Sequence, residues 1–256
     1  MNKVTRLKYY IESLCIYDFE DDDVFSALYD LLCDDEEDTV ALQSYFFKEL
    51  AKSESLKKHI SRLILTNDNI FTKAACAGKV GELSIAVMNA VKSDLAKLEE
   101  IASLTAQDII AGVDDEEIKE ILLTLPGWEV GKALAPLDKN WDKQIDELVK
   151  YHRENGYGIY AKNIAFTWRD EEITPVNSID TIRLTDLKNY EFQRNKVIDN
   201  TESFIAGHPA NNVLLYGDRG TGKSSTVHAI LNEYWQKGLR MIGQGMHERD
   251  ITTTRT

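Results

Sequence analysis

The sequence predicts an α+β protein in which an all-α amino-terminal domain precedes the first part of an α/β domain. Apolar residues recur at helical spacing through roughly the first 150 positions, the pattern of amphipathic helices. Ile164, Phe166 and Trp168 then alternate with smaller or more polar residues, which indicates a strand. Finally, a short apolar run, a glycine-rich turn and a helical pattern follow one another between Asn211 and Trp235.

Changes in composition set the predicted domain boundaries. An acidic helical domain is predicted at 1–150, a β-containing connector at 151–179, and the α/β part at 180–256. Around Gly156 the spacing of apolar residues changes from helical to alternating. We therefore expect an edge strand or hairpin there, which ends at Pro175.

The amino-terminal domain reads as a helical bundle, because no repeat of solenoid period is present. Trp128 and Trp141 are predicted to pack in the core or between helices, and no active-site pattern occurs here. Three helices are marked by apolar faces: Tyr9, Tyr10, Leu14 and Tyr17 on the first; Leu42, Phe46, Phe47, Leu50 and Ala51 on another; and Leu83, Val87, Ala90, Val91, Leu95, Leu98 and Ile101 on one long or two short ones.

The net charge of −13 is unevenly distributed. From Asp180 onward there are 10 basic and 9 acidic residues, so the first 179 residues carry −14. Runs such as Glu20–Asp23 and Asp34–Asp38 each precede an apolar segment, where carboxylates complement helix dipoles and aid solubility. Alternatively, these acidic runs could form a metal-binding cluster or attract a basic partner. A broad DNA-binding face is disfavoured by the same charge.

The remaining composition indicates a cytoplasmic globular protein. No stretch approaches the ~18 apolar residues of a membrane span, and the first six residues lead into no secretory core. Cys15, Cys33 and Cys76 form neither a metal pair nor an even disulfide set, so we expect buried thiols in a reducing compartment. His152 and His208 have no partner at catalytic spacing and are expected at the surface or in loops.

The segment "VLLYGDRGTGKSS" contains the pattern that is most specific for a function. Val213–Tyr216 has the pattern of a buried strand, and Gly217–Ser224 matches G-x-x-x-x-G-K-[ST] at every fixed position. Glycines let successive N–H groups point into one concavity, at which the next helix adds its positive dipole end. Lys223 can reach the β- and γ-phosphates, and the Ser224 hydroxyl is a natural Mg²⁺ ligand.

The pattern therefore predicts a loop that binds a nucleoside triphosphate, ATP with Mg²⁺. A Rossmann-type site would need G-x-G-x-x-G and an acidic residue about 20 positions later, and neither is present. A glycine-rich turn without a ligand is the plainer alternative. The predicted nucleotide-binding residues are Gly217, Asp218, Arg219, Gly220, Thr221, Gly222, Lys223, Ser224 and Ser225, with Ser224 also the metal ligand.

The segment from Ile179 to Ser225 resembles the start of an AAA-type ATPase domain. The resemblance rests on four features: an apolar lead-in, the sequence Leu-Thr-Asp-Leu, a helix that contains Gln193, Asn195 and Asn200, and the strand predicted before the loop. More narrowly, residues 180–242 are similar to a family of bacterial AAA-like ATP-binding proteins of unknown function with a helical amino-terminal half. The resemblance implies an adenine pocket bordered by Ile182, Leu184 and Leu187, and a homo-oligomer that remodels a macromolecular partner.

The sequence departs from that family after the loop helix. Val227, Ile230, Leu231 and Tyr234 should pack this helix on the sheet, Gly238 should end it, and Leu239–Ile242 should start the next strand. The last 14 residues, "GQGMHERDITTTRT", are polar and aperiodic, so we expect a chain that stops within its catalytic domain. An AAA domain also needs an acidic strand end that holds magnesium, a polar sensor residue, an arginine finger and a helical lid, and we expect this chain to lack all four. We therefore assign no catalytic residue.

Two alternatives in function stay open. The chain could be a non-enzymatic interaction module in which the helical domain acts and the loop is idle. It could also be a DNA-linked ATPase such as a loader, although the acidic first half argues against that.

Overall fold

The computed structural model describes residues 2–34, 38–53, 55–176, 178–244 and the backbone of 251–255. The chain divides into two compact units, Met1–Tyr151 and His152–Thr256. It is mostly helical and has one small mixed sheet, which confirms the α+β class.

Twelve α-helices and four strands make up the described structure. The helices are α1 (Lys3–Glu12), α2 (Asp23–Cys33), α3 (Thr39–Leu50), α4 (Leu56–Leu65), α5 (Ile70–Cys76), α6 (Ile85–Ile101), α7 (Ala106–Ile110), α8 (Glu116–Leu122), α9 (Ile145–Asn155), α10 (Gly158–Lys162), α11 (Glu191–Ile205) and α12 (Lys223–Tyr234). The strands are β1 (Ala165–Arg169), β2 (Glu172–Pro175), β3 (Leu239–Gln244) and β4 (Ile251–Arg255). Short 3₁₀ turns occupy Val80–Glu82, Trp141–Lys143, Leu184–Asp186 and Trp235–Lys237.

The first unit is a helical assembly, as predicted, with one large apolar core and a smaller cluster of Ile110, Val113 and Leu122. Phe46 and Leu50 of α3 are buried, and one long α6 contributes Val91, Leu95, Leu98 and Ile101. Trp141 is fully buried, while Trp128 packs edge-on against Phe46 with ring centroids 4.8 Å apart. Two details of the prediction were wrong: α1 ends at Glu12, before Leu14 and Tyr17, and Leu83 lies before α6.

Some helices begin on the acidic residues that the sequence pointed to. Asp22 accepts the N–H of Phe25 at 2.9 Å and caps α2, as expected for a carboxylate at the positive end of a helix. Asp115 caps α8 in the same way. In the second acidic run, Asp38 precedes α3 without a side-chain cap, and residues 35–37 lie outside the described part of the chain.

Two carboxylates of α6 reach segments far away in sequence. Asp94, which is fully buried, accepts the backbone N–H groups of Cys15, Ile16 and Tyr17 at 2.9, 2.7 and 3.3 Å through Oδ2. Glu99 accepts the N–H groups of Asn140 and Trp141, both at 2.9 Å. The two acids thus satisfy backbone N–H groups that regular secondary structure leaves without partners, and they fix the conformation of both segments.

The sheet of the second unit has the order β2-β1-β3-β4. β1 and β2 form the predicted antiparallel hairpin, in which Asp170 and Glu171 form the two-residue turn with φ of 52° and 65°. Positive φ at both positions is what a type I′ turn requires, here without glycine. β1 pairs in parallel with β3, and β3 is the strand predicted after Gly238, whose φ of 88° ends the preceding turn.

Two predictions about this unit were wrong. Val213–Tyr216 is not a buried strand: it lies outside the sheet, with Leu214 83% and Tyr216 88% exposed. An apolar sequence cannot become a strand unless a neighbouring strand takes its backbone hydrogen bonds, and the described sheet places none beside it. The polar tail is also not without regular structure, because Ile251–Arg255 forms a strand that pairs antiparallel with β3. Its β-branched residues suit that conformation.

Smaller expectations also needed correction. His152 lies in α9 and is fully buried, with Nδ1 3.0 Å from the carbonyl of Gly156, whereas His208 is exposed as expected. The cysteines are free but not buried: Cys15 is exposed, and Cys33 and Cys76 are partly exposed. Among the described residues, no helix is long and apolar enough to cross a membrane.

Candidate phosphate-binding site

The glycine-rich loop adopts a strongly curved backbone. Gly217, Gly220 and Gly222 have φ of 137°, 86° and 81°, values that a residue with a side chain rarely adopts. Gly222 also starts α12, since its carbonyl accepts both the N–H and the Oγ1 hydroxyl of Thr226, at 2.8 and 2.9 Å. The glycine spacing thus produces the turn into the helix that the sequence predicted.

The loop presents donors and open space on its surface. The N–H groups of residues 217–222 donate to no acceptor within the described part of the chain. A Cβ atom built at Gly220 or Gly222 would meet no atom within 4 Å. These glycines are therefore needed for backbone conformation, and the unused N–H groups together with the amino-terminal end of α12 suit an anion.

The Lys223 ammonium lies against the loop itself. Its Nζ donates to the carbonyls of Gly217 and Asp218 at 2.9 and 2.7 Å and is 3.3 Å from Thr221 Oγ1. The Thr221 hydroxyl in turn donates to the carbonyl of Asp218 at 2.9 Å. This network brings a positive charge to the same few residues whose N–H groups are unused.

The other predicted residues lie around this network. Asp218, Arg219 and Ser224 are exposed, and Ser225 is partly exposed on α12. Ser224 is in the first turn of the helix, directly after the lysine, which is the position from which a hydroxyl would coordinate a metal beside a bound phosphate. No group of three or more potential metal ligands occurs among the described residues.

The helix α12 is anchored by its apolar face, as predicted. Leu231 is buried with Ala165 of β1 and Met241 of β3, and Ile230 and Tyr234 form a second cluster with residues of α11. The Tyr234 hydroxyl donates to Glu202 at 2.9 Å; burial, followed by this hydrogen bond, raises the pKa of Tyr234 to about 12. The loop therefore sits on a helix fixed to both the sheet and α11.

A pair of asparagines is hydrogen-bonded at the start of the segment before the loop. Asn200 Nδ2 donates to the carbonyl of Asn211, and the Asn211 N–H donates back to Asn200 Oδ1, both at 2.8 Å. The planar amide of an Asn side chain presents a donor and an acceptor side by side, so it can bind the N–H and carbonyl of one residue as a neighbouring strand would. The pair fixes the backbone at Asn211, where the segment before the loop begins.

A cavity of about 540 Å³ opens beside the loop. Of the described residues that line it, four are basic and one is acidic, although the protein as a whole is acidic. Arg194 is partly engaged, because Nη1 donates to the carbonyl of Leu187 at 2.8 Å. The basic lining residues are Lys188, Arg194, Lys196 and Lys223, and the acidic one is Asp218.

The three residues implied for the adenine pocket separate in the structure. Leu187 lines the cavity, whereas Leu184 packs with Ile230 and Tyr234 instead. The carbonyl of Ile182 accepts Asn232 Nδ2 at 2.9 Å, which ties the lead-in segment to α12. One apolar side chain of the three is thus in a position to meet a base.

Some lining residues were not identified from the sequence. Asn189 and Tyr190 have φ of 62° and 58°, and Tyr190 starts α11 at the cavity wall. Non-glycine residues in the left-handed region often mark binding sites. The spacing of Lys188 and Lys196 around this turn is the signal that could have indicated a basic wall.

Comparison with known protein families gives a match only in the carboxy-terminal unit. Residues 161–253 match a family described as "Protein of unknown function (DUF815)", a range well under half of the chain that includes the loop. No curated protein matches, and no solved structure matches. The carboxy-terminal unit is thus similar to a family of unknown function, which agrees with the coarser part of the predicted resemblance.

Proposed function

We propose that the protein binds a nucleoside triphosphate, ATP with Mg²⁺, at the loop formed by Gly217–Ser225. The observation that carries the proposal is the set of unused N–H groups at residues 217–222, at the start of a helix and next to the Lys223 ammonium. A polyphosphate supplies the acceptors that these donors lack, and its charge is matched by the helix end. The basic wall of the cavity adds to the attraction.

Different residues would contact different parts of the nucleotide. The backbone of residues 217–222 would hold the phosphates, Lys223 would contact the outer ones, and the Ser224 hydroxyl would be a ligand of Mg²⁺. Bound Mg²⁺ neutralises phosphate charge. Leu187 and Tyr190 line the cavity and offer apolar surface to a base.

The class of protein that this site suits is an AAA-like ATPase, which couples nucleotide binding to remodelling of a macromolecular partner by an oligomer. The support is the sequence resemblance over residues 180–242. A second candidate is an interaction module in which the helical unit acts without nucleotide. A solvent-open apolar groove in that unit, at the end of α1, favours keeping this candidate.

Isothermal titration with Mg·ATP tests the proposal. We expect measurable affinity for the wild-type protein and a loss of about tenfold or more for Lys223→Ala, since a charge-assisted contact is worth about 1.5–3 kcal/mol. Arg153→Ala removes an exposed cation of the same unit and should leave the heats unchanged. Equal heats from wild type and Lys223→Ala would refute the role of this lysine.

A second titration addresses the metal. Ser224→Ala should weaken binding with Mg²⁺ present and have little effect when the metal is chelated, because a hydroxyl ligand matters only with its metal. If the substitution acts equally under both conditions, Ser224 is not a metal ligand.

A further inference from the structure

A groove of about 560 Å³ lies in the amino-terminal unit, between the end of α1, the loop after it, and the start of α2. Its walls include apolar side chains that are only partly buried, so apolar surface remains open to solvent there. These side chains are Ile11, Leu14, Ile16 and the ring of Tyr29, whose hydroxyl donates to Glu12 Oε1 at 3.1 Å. The volume of this groove lies within the range of ligand-binding clefts, and its lining combines apolar and polar side chains.

The rim of the groove carries charge of one sign. Glu12, Asp18 and Glu20 line it and are exposed, and none of the described residues that line it is a lysine or arginine. The first 179 residues carry −14 in total, so the field around the groove is also negative. A cationic ligand would be attracted from a distance and paired on arrival.

The groove is formed before any ligand arrives. Buried Asp94 fixes the loop by accepting the N–H groups of Cys15, Ile16 and Tyr17. Behind the loop, the rings of Tyr17 and Phe19 lie 6.2 Å apart, and those of Phe19 and Phe25 lie 5.0 Å apart at a steep angle. Since the wall is tied to α6 and backed by packed rings, little conformational freedom would be lost on binding.

One polar group in the wall is unused. Tyr17 lines the groove and is 3% exposed, and its hydroxyl has no hydrogen-bond partner within the described residues. Burial raises the pKa of Tyr17, and the nearby Asp94 charge raises it further, so the hydroxyl stays a neutral donor. Buried polar groups without partners are uncommon. The Tyr17 oxygen is itself shielded from solvent, so it belongs to the inner wall of the groove rather than to its open surface.

We propose that this groove binds a cationic polypeptide segment. An aliphatic or aromatic side chain of the segment occupies the apolar floor, while flanking lysine or arginine residues pair with Glu12, Asp18 and Glu20. A nucleic acid does not fit, because its phosphates would meet the same three carboxylates. A small polyamine would pair with the rim but leave the floor empty. The proposal is independent of nucleotide binding in the other unit.

Fluorescence anisotropy on the full chain tests the proposal, with a labelled short peptide that alternates lysine and leucine as the probe. The main variant combines Glu12→Gln, Asp18→Asn and Glu20→Gln, which keep shape and hydrogen-bond acceptors but remove three charges. Its matched control combines Glu117→Gln, Glu120→Gln and Asp138→Asn, three exposed acids of the same types that lie outside the groove. A separate variant, Ser26→Trp, fills the groove from an exposed position without changing charge.

We expect the groove variant to weaken binding about tenfold and the control by less than about twofold, because only paired charges contribute strongly. Ser26→Trp should also weaken binding about tenfold, and a peptide with serine in place of leucine should bind as weakly, since the apolar anchor is then blocked or lost. Equal losses in the groove and control variants, an unaffected Ser26→Trp protein, or no binding to wild type would each overturn the proposal. Spermine that binds as tightly as the peptide would exclude the apolar anchor.

Discussion

Arg240 in β3 donates from Nη2 to the backbone carbonyl of Asn155, at the end of α9, over a distance of 3.0 Å. The same guanidinium donates from Nε to Tyr160 at 3.0 Å and from Nη1 to Trp235 and Leu239 at 2.9 and 3.0 Å. Its side chain is almost entirely buried. A single cation thus joins α9, α10 and the turn after α12 to the sheet through backbone carbonyls.

Replacing this arginine should destabilise the carboxy-terminal unit. Arg240→Met keeps most of the apolar stem but removes the donors to several backbone carbonyls, so we expect a loss of about 3 kcal/mol. Hydrogen exchange should accelerate in β1 and β3 while residues 1–151 stay protected. Arg153→Met, an exposed arginine of α9, is the control and should change neither region. Unchanged protection of β3 in the Arg240→Met protein would show that these bonds are not needed.

The loop conformation can be tested at one glycine. Gly222 has φ of 81° and open space around its Cα, so Gly222→Ala introduces backbone strain without a clash. That strain is worth about 1 kcal/mol. We expect weaker Mg·ATP binding by titration. Gly81→Ala, also in open space but without a positive φ, should have no such effect. If both variants bind as wild type does, the curvature at Gly222 is not required.

The amino-terminal unit should be sensitive to acid through Asp22. Burial alone would raise the pKa of this carboxyl, but hydrogen bonds from His59 (2.8 Å) and the N–H of Phe25 outweigh it and hold the pKa below its ordinary value of 3.8. Because the folded pKa is the lower one, the stabilisation is complete above the ordinary value and is lost as the pH falls through the lowered one.

Asp22→Asn should therefore cost about 1–2 kcal/mol of unfolding free energy at neutral pH, and the difference should disappear in acid. Urea unfolding across a pH series measures this. Asp30→Asn, on the exposed side of α2, is the control. A difference between Asp22→Asn and wild type that stays constant down to the lowest pH would contradict the assignment.

The 256-residue protein should release phosphate from ATP no faster than its Lys223→Ala variant. In-line hydrolysis by such loops needs Mg²⁺ held by a second, acidic strand end and a residue that orients water. The described residues provide Ser224 but no cluster of three metal-ligating side chains. A coupled phosphate-release assay makes the measurement. Turnover on the order of 1 s⁻¹ that depends on Lys223 would show that other residues or a partner complete the site.

Backbone protection should differ within the carboxy-terminal unit. Val213–Tyr216 has no place in the sheet, whereas β3 pairs on both sides. Hydrogen exchange at residues 213–216 should therefore be much faster than at residues 239–242. Saturating Mg·ATP should slow exchange in the glycine-rich loop. Equal protection of the two apolar segments in the free protein would contradict the position of residues 213–216 outside the sheet.

Short-range patterns accounted for much of this structure. The hairpin at β1 and β2, the helix α12 with Leu231 on its buried face, and the turn at Gly238 all depend on spacing between neighbours in the sequence. The loop, too, could be predicted, because glycine content and a following helix determine its shape locally.

Features that depend on distant parts of the chain could not be predicted. Whether Val213–Tyr216 is buried depends on a neighbouring strand and not on its own apolar residues. The burial of His152 depends on how its helix is packed, and the roles of Asp94 and Arg240 depend on segments about 80 residues away in the sequence. No local period encodes such contacts. The cavity wall at Lys188 and Lys196 is of the same kind, since it forms only when α11 lies beside the loop.

The hydrogen bonds of Lys223 to Gly217 and Asp218 have a thermodynamic consequence. A phosphate that bound here would not meet a bare cation. Lys223 would exchange two carbonyl acceptors for charged oxygens, so the enthalpy gained would be a difference between two bonded states. In return, the curved loop is pre-organised, and the entropy of ordering it is lost during folding rather than at the moment of binding. A ligand of modest intrinsic strength would therefore still be held in one defined pose.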